Sequence, residues 1–289
     1  MTPLRQRMLE DMRLRNFSPE TQRSYIHYIA GFAKHFGRSP ELLGLEAVRE
    51  YQLYLQDERK LSPESINIFT AAARFLFTST LEMPWSSAHF ARLRVPHKLP
   101  IVLSPTEVAI FFKHIAVIRF RAALMTCYGA GLRISEVVHL RIEDIDSSRM
   151  VIHVRGGKGA KDRYTMLSPR LLELLRLYWR FQRPAEWLFP ATKPDRHLCV
   201  NTLQQVCREA AQRAGFSKRI TAHTLRHSFA THLLENGTDV RIIQSLLGHA
   251  RIESTAHYTA VTRKMVMNTA SPLDALPELN QLKRNNKRS

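Results

Sequence analysis

Residues 223–237 read His223-Thr-Leu-Arg226-His227-Ser-Phe229-Ala-Thr-His232-Leu233-Leu-Glu-Asn-Gly237. Leu225, Phe229 and Leu233 recur at i, i+4 and i+8, which predicts a helix over 223–235 with one apolar stripe facing a core. His223 and Arg226, spaced i and i+3, share a different face. That face presents an imidazole and a guanidinium together, a pairing suited to an anion. Taken alone, it is also what a solvated polar face carries, and a histidine satisfied in the core is an equally ordinary reading. The stretch therefore yields a helix and a candidate site, and no function by itself.

Working downstream, a helical pattern over 239–247 ends in Leu246-Leu-Gly248-His249, with Gly248 at a natural C-cap. Tyr258 follows in Ser254-Thr-Ala-His-Tyr-Thr259, within a helical pattern over 255–268. A lone tyrosine on a helix is ordinarily a half-buried packing residue. Upstream, Gly129-Ala-Gly-Leu-Arg133-Ile-Ser-Glu136 closes one helix with glycines and opens another. Arg133 sits near the helix start and Glu136 one turn on, on the same face. A guanidinium held by a carboxylate is aimed in advance for bidentate phosphate contact, although most Arg–Glu pairs are structural.

Between these helices the periodicity changes. Met150, Ile152 and Val154 alternate with Val151, His153 and Arg155, which predicts a strand. Arg163 to Leu167 can pair back with it across the turn Gly156-Gly-Lys-Gly-Ala-Lys-Asp162. Helical patterns cover 105–115, 119–128, 134–141, 169–182 and 201–214. Ser18-Pro19, Ser39-Pro40, Ser62-Pro63 and Ser104-Pro105 each set an N-cap hydroxyl before a first-turn proline, and Ser104 with Glu107 fits a capping box. Tyr25, Tyr28, Ile29, Phe32 and Phe36 recur at helical spacing, as do Ile66, Phe69, Ala73 and Leu76; their aromatic rings read as core. Arg92 to Pro100 breaks the pattern with two prolines. Its Arg92, Arg94 and Lys98 suit a linker lying along DNA, and equally an ordinary linker. The expected fold is mainly α with a small antiparallel β-sheet: a helical domain with linker over 1–96, then an α+β domain over 97–289.

The balance of charge narrows the partners. Lys and Arg total 43 against 25 Asp and Glu, a formal net charge of +18. Such a chain concentrates on polyanions, of which nucleic acid is the commonest. Apolar residues at 44% suit a globular fold. Cys127, Cys199 and Cys207 make an odd set without a CxxC pair, which fits a reducing cytosol and not a disulfide framework. The charged stretch Met1 to Arg15 lacks the apolar core of a signal peptide, and no apolar run is long enough to span a membrane. A soluble, cytoplasmic protein without a membrane partner is expected.

Together, GLRISE, the GKG turn, HTLRHSFATHLLENG, LLGH and HYT resemble the signatures of the tyrosine recombinases, with the Xer, integron-integrase and phage-integrase group nearest in flavour. Arg133, Lys158, His223, Arg226, His249 and Tyr258 stand in that family's order and local contexts. The resemblance spans about 103–268 and extends less specifically to the N-terminal domain, which looks like the family's helical core-binding domain. It implies cleavage of DNA by Tyr258, leaving a 3′-phosphotyrosyl bond and a free 5′-hydroxyl. Arg133 and Arg226 would stabilise charge on the phosphate, with a hydrogen bond from His249. His223 would assist proton transfer with the tyrosine, and Lys158, carried into the minor groove, would protonate the leaving oxygen. Glu136 would orient Arg133. Lys161, in the same turn as Lys158, and Arg163 would contact the DNA backbone, as would Arg92, Arg94 and Lys98. Lys161 is a rival for the general-acid role, but the flanking glycines of Lys158 match the family's GKG context.

The phosphotyrosyl bond conserves the energy of the broken strand, so no metal, ATP or other cofactor is expected. The resemblance also implies double-stranded DNA sites as partners, a homotetramer on two paired sites, accessory DNA-bending or partner recombinase proteins, and a C-terminal segment within 260–289 that docks on a neighbouring subunit. Three other readings compete. A type IB topoisomerase-like enzyme would use the same chemistry without exchanging strands. A DNA-binding regulator with a vestigial site would have no need of an aligned tyrosine. A histidine metal site at His223/His227 or His249/His257 has neither an HExxH motif nor a Cys/His quartet behind it.

Overall fold

The computed structural model describes residues 2–85, 90, 92–96, 100–156, 162–248 and 269–274. The chain divides into two compact units, Met1–Lys98 and Leu99–Ser289.

The first unit is helical: α1 (Pro3–Leu14), α2 (Pro19–Phe36), α3 (Leu45–Asp57) and α4 (Pro63–Phe75), with a π-helical extension over Leu76–Thr80. The Ser-Pro signal works where expected at Ser18 and Ser62, whose hydroxyls accept from the backbone N–H groups of Thr21 and Ser65. Thr2-Pro3 starts α1 in the same way. Ser39-Pro40 yields only a three-residue 3-10 turn over Pro40–Leu42. The chain is extended again at Leu43 and Gly44, and α3 opens after Gly44. The aromatic residues are core, as the spacing implies: Phe32, Phe69 and Tyr51 are buried together, and Phe32 lies 5.7 Å from Phe69 and 5.4 Å from Tyr51 between ring centroids. Asn67 on α4 clamps the following segment, accepting from the Leu93 N–H at 2.8 Å and donating to its carbonyl at 3.0 Å. Arg92 and Arg94, on either side of Leu93, stay exposed.

The second unit contains α5 (Pro105–Lys113), α6 (Ile118–Gly129), α7 (Ile134–Val138), β1 (Ile145–Asp146), β2 (Val151–Val154), β3 (Arg163–Met166), α8 (Pro169–Gln182), α9 (Val200–Arg213), α10 (Ala222–Glu235) and α11 (Val240–Leu247). Helix α6 is the axis. Every residue from Ala122 to Gly129 is buried, so no polar face remains, and α7, α8, α9 and α10 pack around it. The strands form one antiparallel sheet in the order β1-β2-β3, with Val151 opposite Met166 and Val154 opposite Arg163. The protein is thus mainly helical with a small antiparallel sheet.

A buried hydrogen-bond chain fixes α10. The Tyr128 hydroxyl lies 2.9 Å from His232 Nδ1, and His232 Nε2 lies 2.8 Å from the Leu103 carbonyl. With Nε2 protonated, Nδ1 accepts from the tyrosine, and one neutral tautomer satisfies both contacts. The Leu103 N–H in turn donates to Ser228 Oγ at 2.9 Å.

Residues 269–274 pack on their own unit. Leu273 is fully buried against Gly129, Ser271 Oγ donates to the Gly129 carbonyl at 2.7 Å, and Arg170 donates to the Leu273 carbonyl at 3.2 Å. Apolar burial of Leu273 drives this docking, and only a glycine at 129 leaves room for it, since a Cβ there would lie 2.8 Å from Leu273 Cδ2.

Candidate active site

Helix α10 carries His223 and Arg226 as its sequence predicts. Thr221 caps it, its hydroxyl accepting from the Thr224 N–H at 3.2 Å, which sets His223 in the first turn. His223 is exposed, and its ring centroid lies 4.4 Å from that of His227. Arg226 is buried, its side chain only 4% exposed. It donates Nη1 to the Gly131 carbonyl and Nη2 to the Leu247 carbonyl. One guanidinium therefore ties α10 to the loop before α7 and to the end of α11. Gly131 must be glycine here: its φ is +65° and a Cβ would come within 2.4 Å of the Phe229 ring.

Arg133 and Glu136 meet as their spacing predicts. Arg133 is the N-cap of α7, and Glu136 reaches back to accept its backbone N–H at 2.8 Å and its Nη1 at 2.9 Å. Glu136 is 8% exposed and lies 3.8 Å from Arg226 Nη1, so one buried carboxylate sits between the two arginines. Burial pushes its carboxyl up, but hydrogen bonds and charge from Arg163 and Arg133 outweigh that and hold it below the usual carboxylate value. Burial, and then the nearby Arg133, bring Arg226 down to about 10. Burial, His227, Arg226 and Arg133 all lower the pKa of His223, in that order. This lowering favours the neutral imidazole, the form able to accept a proton.

Arg163, expected to contact a DNA backbone, also belongs to this cluster. It turns toward Glu136 and its side chain is 12% exposed. Its Nη1 and Nη2 meet Glu136 Oε1 and Oε2 at 2.9 and 2.8 Å, and its Nε donates to the Leu246 carbonyl at 3.1 Å. The reason is electrostatic: a buried carboxylate requires a partner, and β3 delivers this arginine to it. The spacing of 27 residues between Glu136 and Arg163 leaves no local signal for the pairing.

The hairpin stem of β2 and β3 is fastened by charge. Asp162 accepts the Gly156 N–H at 2.8 Å and faces His153 Nε2 at 3.0 Å, while Arg155 Nε meets the buried Asp144 at 2.7 Å. Lys158, Lys161, His249, Tyr258 and Lys98 lie outside the described residues. Among the described residues, no group of three or more His, Cys, Asp or Glu side chains could hold a metal ion, and no helix is long and apolar enough to cross a membrane.

Three guanidinia around one carboxylate leave a positive excess in a mostly buried setting. Such a cluster is complementary to a phosphate, above all to one that gains charge in a transition state.

Residues 102–265 match the phage integrase family, and residues 4–87 match the phage integrase N-terminal SAM-like domain. A Sinorhizobium fredii protein bearing an integrase/recombinase name is 53% identical over 96% of this chain and 90% of its own length. The tyrosine recombinase XerA of Thermococcus onnurineus is 37% identical over 85% of this chain and 86% of its own. The XerA recombinase crystal structure is 26% identical with a TM-score of 0.50, covering 91% of this chain and 96% of that one. A lambda integrase dimer bound to a core site shares the fold at 17% identity, with a TM-score of 0.70 over 86% of this chain and 94% of that one. The chain belongs to the phage integrase family and is a tyrosine site-specific recombinase, an enzyme of site-specific DNA recombination.

Proposed function

We propose that this recombinase cuts and rejoins DNA with Tyr258 as nucleophile, through a 3′-phosphotyrosyl intermediate and a Holliday junction. The observation that carries the reading is the pairing of Arg133 and Arg226 across Glu136, with His223 on the same helix as Arg226. A tyrosine hydroxyl with a pKa of about 10 is a poor nucleophile at neutral pH. His223 takes its proton as the phenolic oxygen attacks phosphorus. Arg133 and Arg226 stabilise the charge growing on the non-bridging oxygens, and His249 adds a hydrogen bond; each such donor is worth roughly 10²–10³ in rate. The P–O5′ bond breaks and Lys158 protonates the departing oxygen. A 5′-hydroxyl from the partner duplex then attacks the phosphotyrosine, reseals the strand and releases the tyrosine. The arginines supply the positive charge that a metal supplies in other phosphoryl-transfer enzymes, and the phosphotyrosyl bond stores the energy for resealing.

Two domains, 1–96 and 97–289, clamp duplex DNA in this reading, with the exposed Arg92 and Arg94, together with Lys98 and Lys161, on the phosphate backbone. A homotetramer pairs two sites in a reducing cytoplasm, with accessory DNA-bending or partner recombinase proteins joining it at some sites. Integration, excision, resolution and transposition in a mobile-element setting all draw on this one chemistry. The test is strand exchange between two defined recombination sites in excess EDTA. Reciprocal exchange supports the reading. Relaxation without exchange, or activity that returns only with Mg²⁺, contradicts it.

A further inference from the structure

Among the described residues, Glu136 is the carboxylate that sits among the arginines of the site, and it is not shared evenly. Arg163 meets it head-on, one nitrogen to each oxygen at 2.9 and 2.8 Å. Arg133 approaches from the side through a single guanidinium nitrogen at 2.9 Å, and Arg226 stands off at 3.8 Å. The Arg163 fork therefore takes up most of the charge of Glu136, while the other two guanidinia keep theirs. The remaining Arg163 nitrogen holds the Leu246 carbonyl, while Arg226 holds the adjoining Leu247 carbonyl, so the two arginines grip the last turn of α11 together. Gly248 closes that turn with φ +62°, and a Cβ on it would meet Arg163 Cδ and Nε at 3.0 Å.

We propose that Arg163 is a positioning residue of the recombination reaction: it occupies Glu136 and thereby keeps Arg226 free for phosphate while holding the end of α11 in register. This rests on the phosphate-binding role given above to Arg133 and Arg226. Without Arg163, the Glu136 carboxylate, still held by Arg133 through one oxygen, is free to close the gap to Arg226 with the other and neutralise it, because a buried carboxylate that loses a partner draws in another cation. Lysine is a poor replacement. Its ammonium is a point charge and does not span two carboxylate oxygens and a backbone carbonyl in one plane.

The experiment uses the full chain with Arg163→Ala, Arg163→Lys, Glu136→Gln and the Arg163→Ala/Glu136→Gln double variant. Three quantities are read: thermal melting, the salt dependence of recombination-site binding, and single-turnover cleavage of a nicked suicide substrate at saturating protein. Arg163→Ala should bind with an unchanged salt slope and cleave about 100-fold more slowly, the scale of loss for a misplaced group. Arg163→Lys should stay at least tenfold slow. The double variant should be no slower than the worse single one, since both changes act through one contact. A wild-type cleavage rate with a salt slope smaller by about one would make Arg163 an ordinary backbone contact and overturn the proposal. Full additivity in the double variant would also overturn it. If Arg163→Ala does not fold, a folded Arg163→Lys cleaving at the wild-type rate overturns the proposal, and a tenfold loss supports it. Absence of any covalent adduct from the wild type strikes instead at the underlying role of the site, which separates the two failures.

Discussion

Arg163 on β3 and Glu136 on α7 face each other through two parallel hydrogen bonds, Nη1 to Oε1 at 2.9 Å and Nη2 to Oε2 at 2.8 Å. The contact joins the sheet to the helix that Arg133 caps. The same carboxylate receives the Arg133 backbone N–H and side chain, so four hydrogen bonds converge on it.

Replacing Glu136 by Gln removes the charge and keeps the shape. Three arginines then lose the counter-charge they share in a buried setting, and the fold should lose about 2 kcal/mol or more. Denaturant melts at pH 7 measure this. The carboxyl has a lowered pKa in the fold, so its contribution is present above the unfolded value of about 4.3 and is lost as pH falls through the folded value. The difference between wild type and Glu136→Gln should accordingly shrink toward pH 3. A difference that grows with acid would contradict the placement of Glu136.

His223 and His227 titrate in the opposite sense from a salt-bridged histidine. Burial, with Arg226 nearby, lowers both pKa values, and His227 and Arg133 add to the effect at His223. The unfolded chain therefore binds more protons than the fold just below pH 6.5, and stability should fall as pH drops through that value. In His227→Gln the slope of melting temperature between pH 7.5 and 5.5 should be shallower. An identical slope would mean that His227 carries no such penalty.

Salt dependence separates phosphate-binding side chains from buried arginines. Arg92 and Arg94 are exposed on a segment clamped by Asn67. Replacing Arg92, Arg94 and Lys98 together by Ala should reduce the slope of log K against log salt by about 2–3, since each neutralised phosphate contributes about 0.9. An unchanged slope would place this segment away from DNA.

Much of this site was legible in local sequence. The i, i+3 spacing brings Arg133 to Glu136 and sets His223 and Arg226 on one turn of α10, because helix geometry alone decides such pairs. Proline behind a hydroxyl marked α2, α4 and α5. It misled at Ser39, where the chain straightens again at Leu43 and Gly44 before α3 begins. β1, at two residues, is too short to show a period. The inward turn of Arg163 and the burial of Leu273 against Gly129 were not legible, since each depends on partners distant in the chain. His232 hid likewise: its partners Tyr128 and Leu103 lie more than 100 residues away.

Lys158 is assigned the proton for the leaving 5′ oxygen. Lys158→Ala should cleave at a small fraction of the wild-type rate while binding its site nearly normally. A substrate with sulfur at the 5′ bridging position should restore cleavage, since a thiolate departs without a proton. If the sulfur rescues Lys161→Ala and leaves Lys158→Ala slow, the general acid is Lys161.

The central claim is that Tyr258 attacks the phosphate. Tyr258→Phe removes one oxygen and costs at most about 1 kcal/mol if a hydrogen bond goes with it, too little to unfold either domain. Phosphate-binding groups all remain, so site binding and pairing should persist. The direct measurement is the covalent adduct on a suicide substrate labelled on the strand that stays attached, resolved on a denaturing gel and mapped by peptide. Wild type should give an adduct on the peptide that carries Tyr258, and Tyr258→Phe should give none. An adduct formed by Tyr258→Phe, or one that maps to another residue in the wild type, would contradict the account.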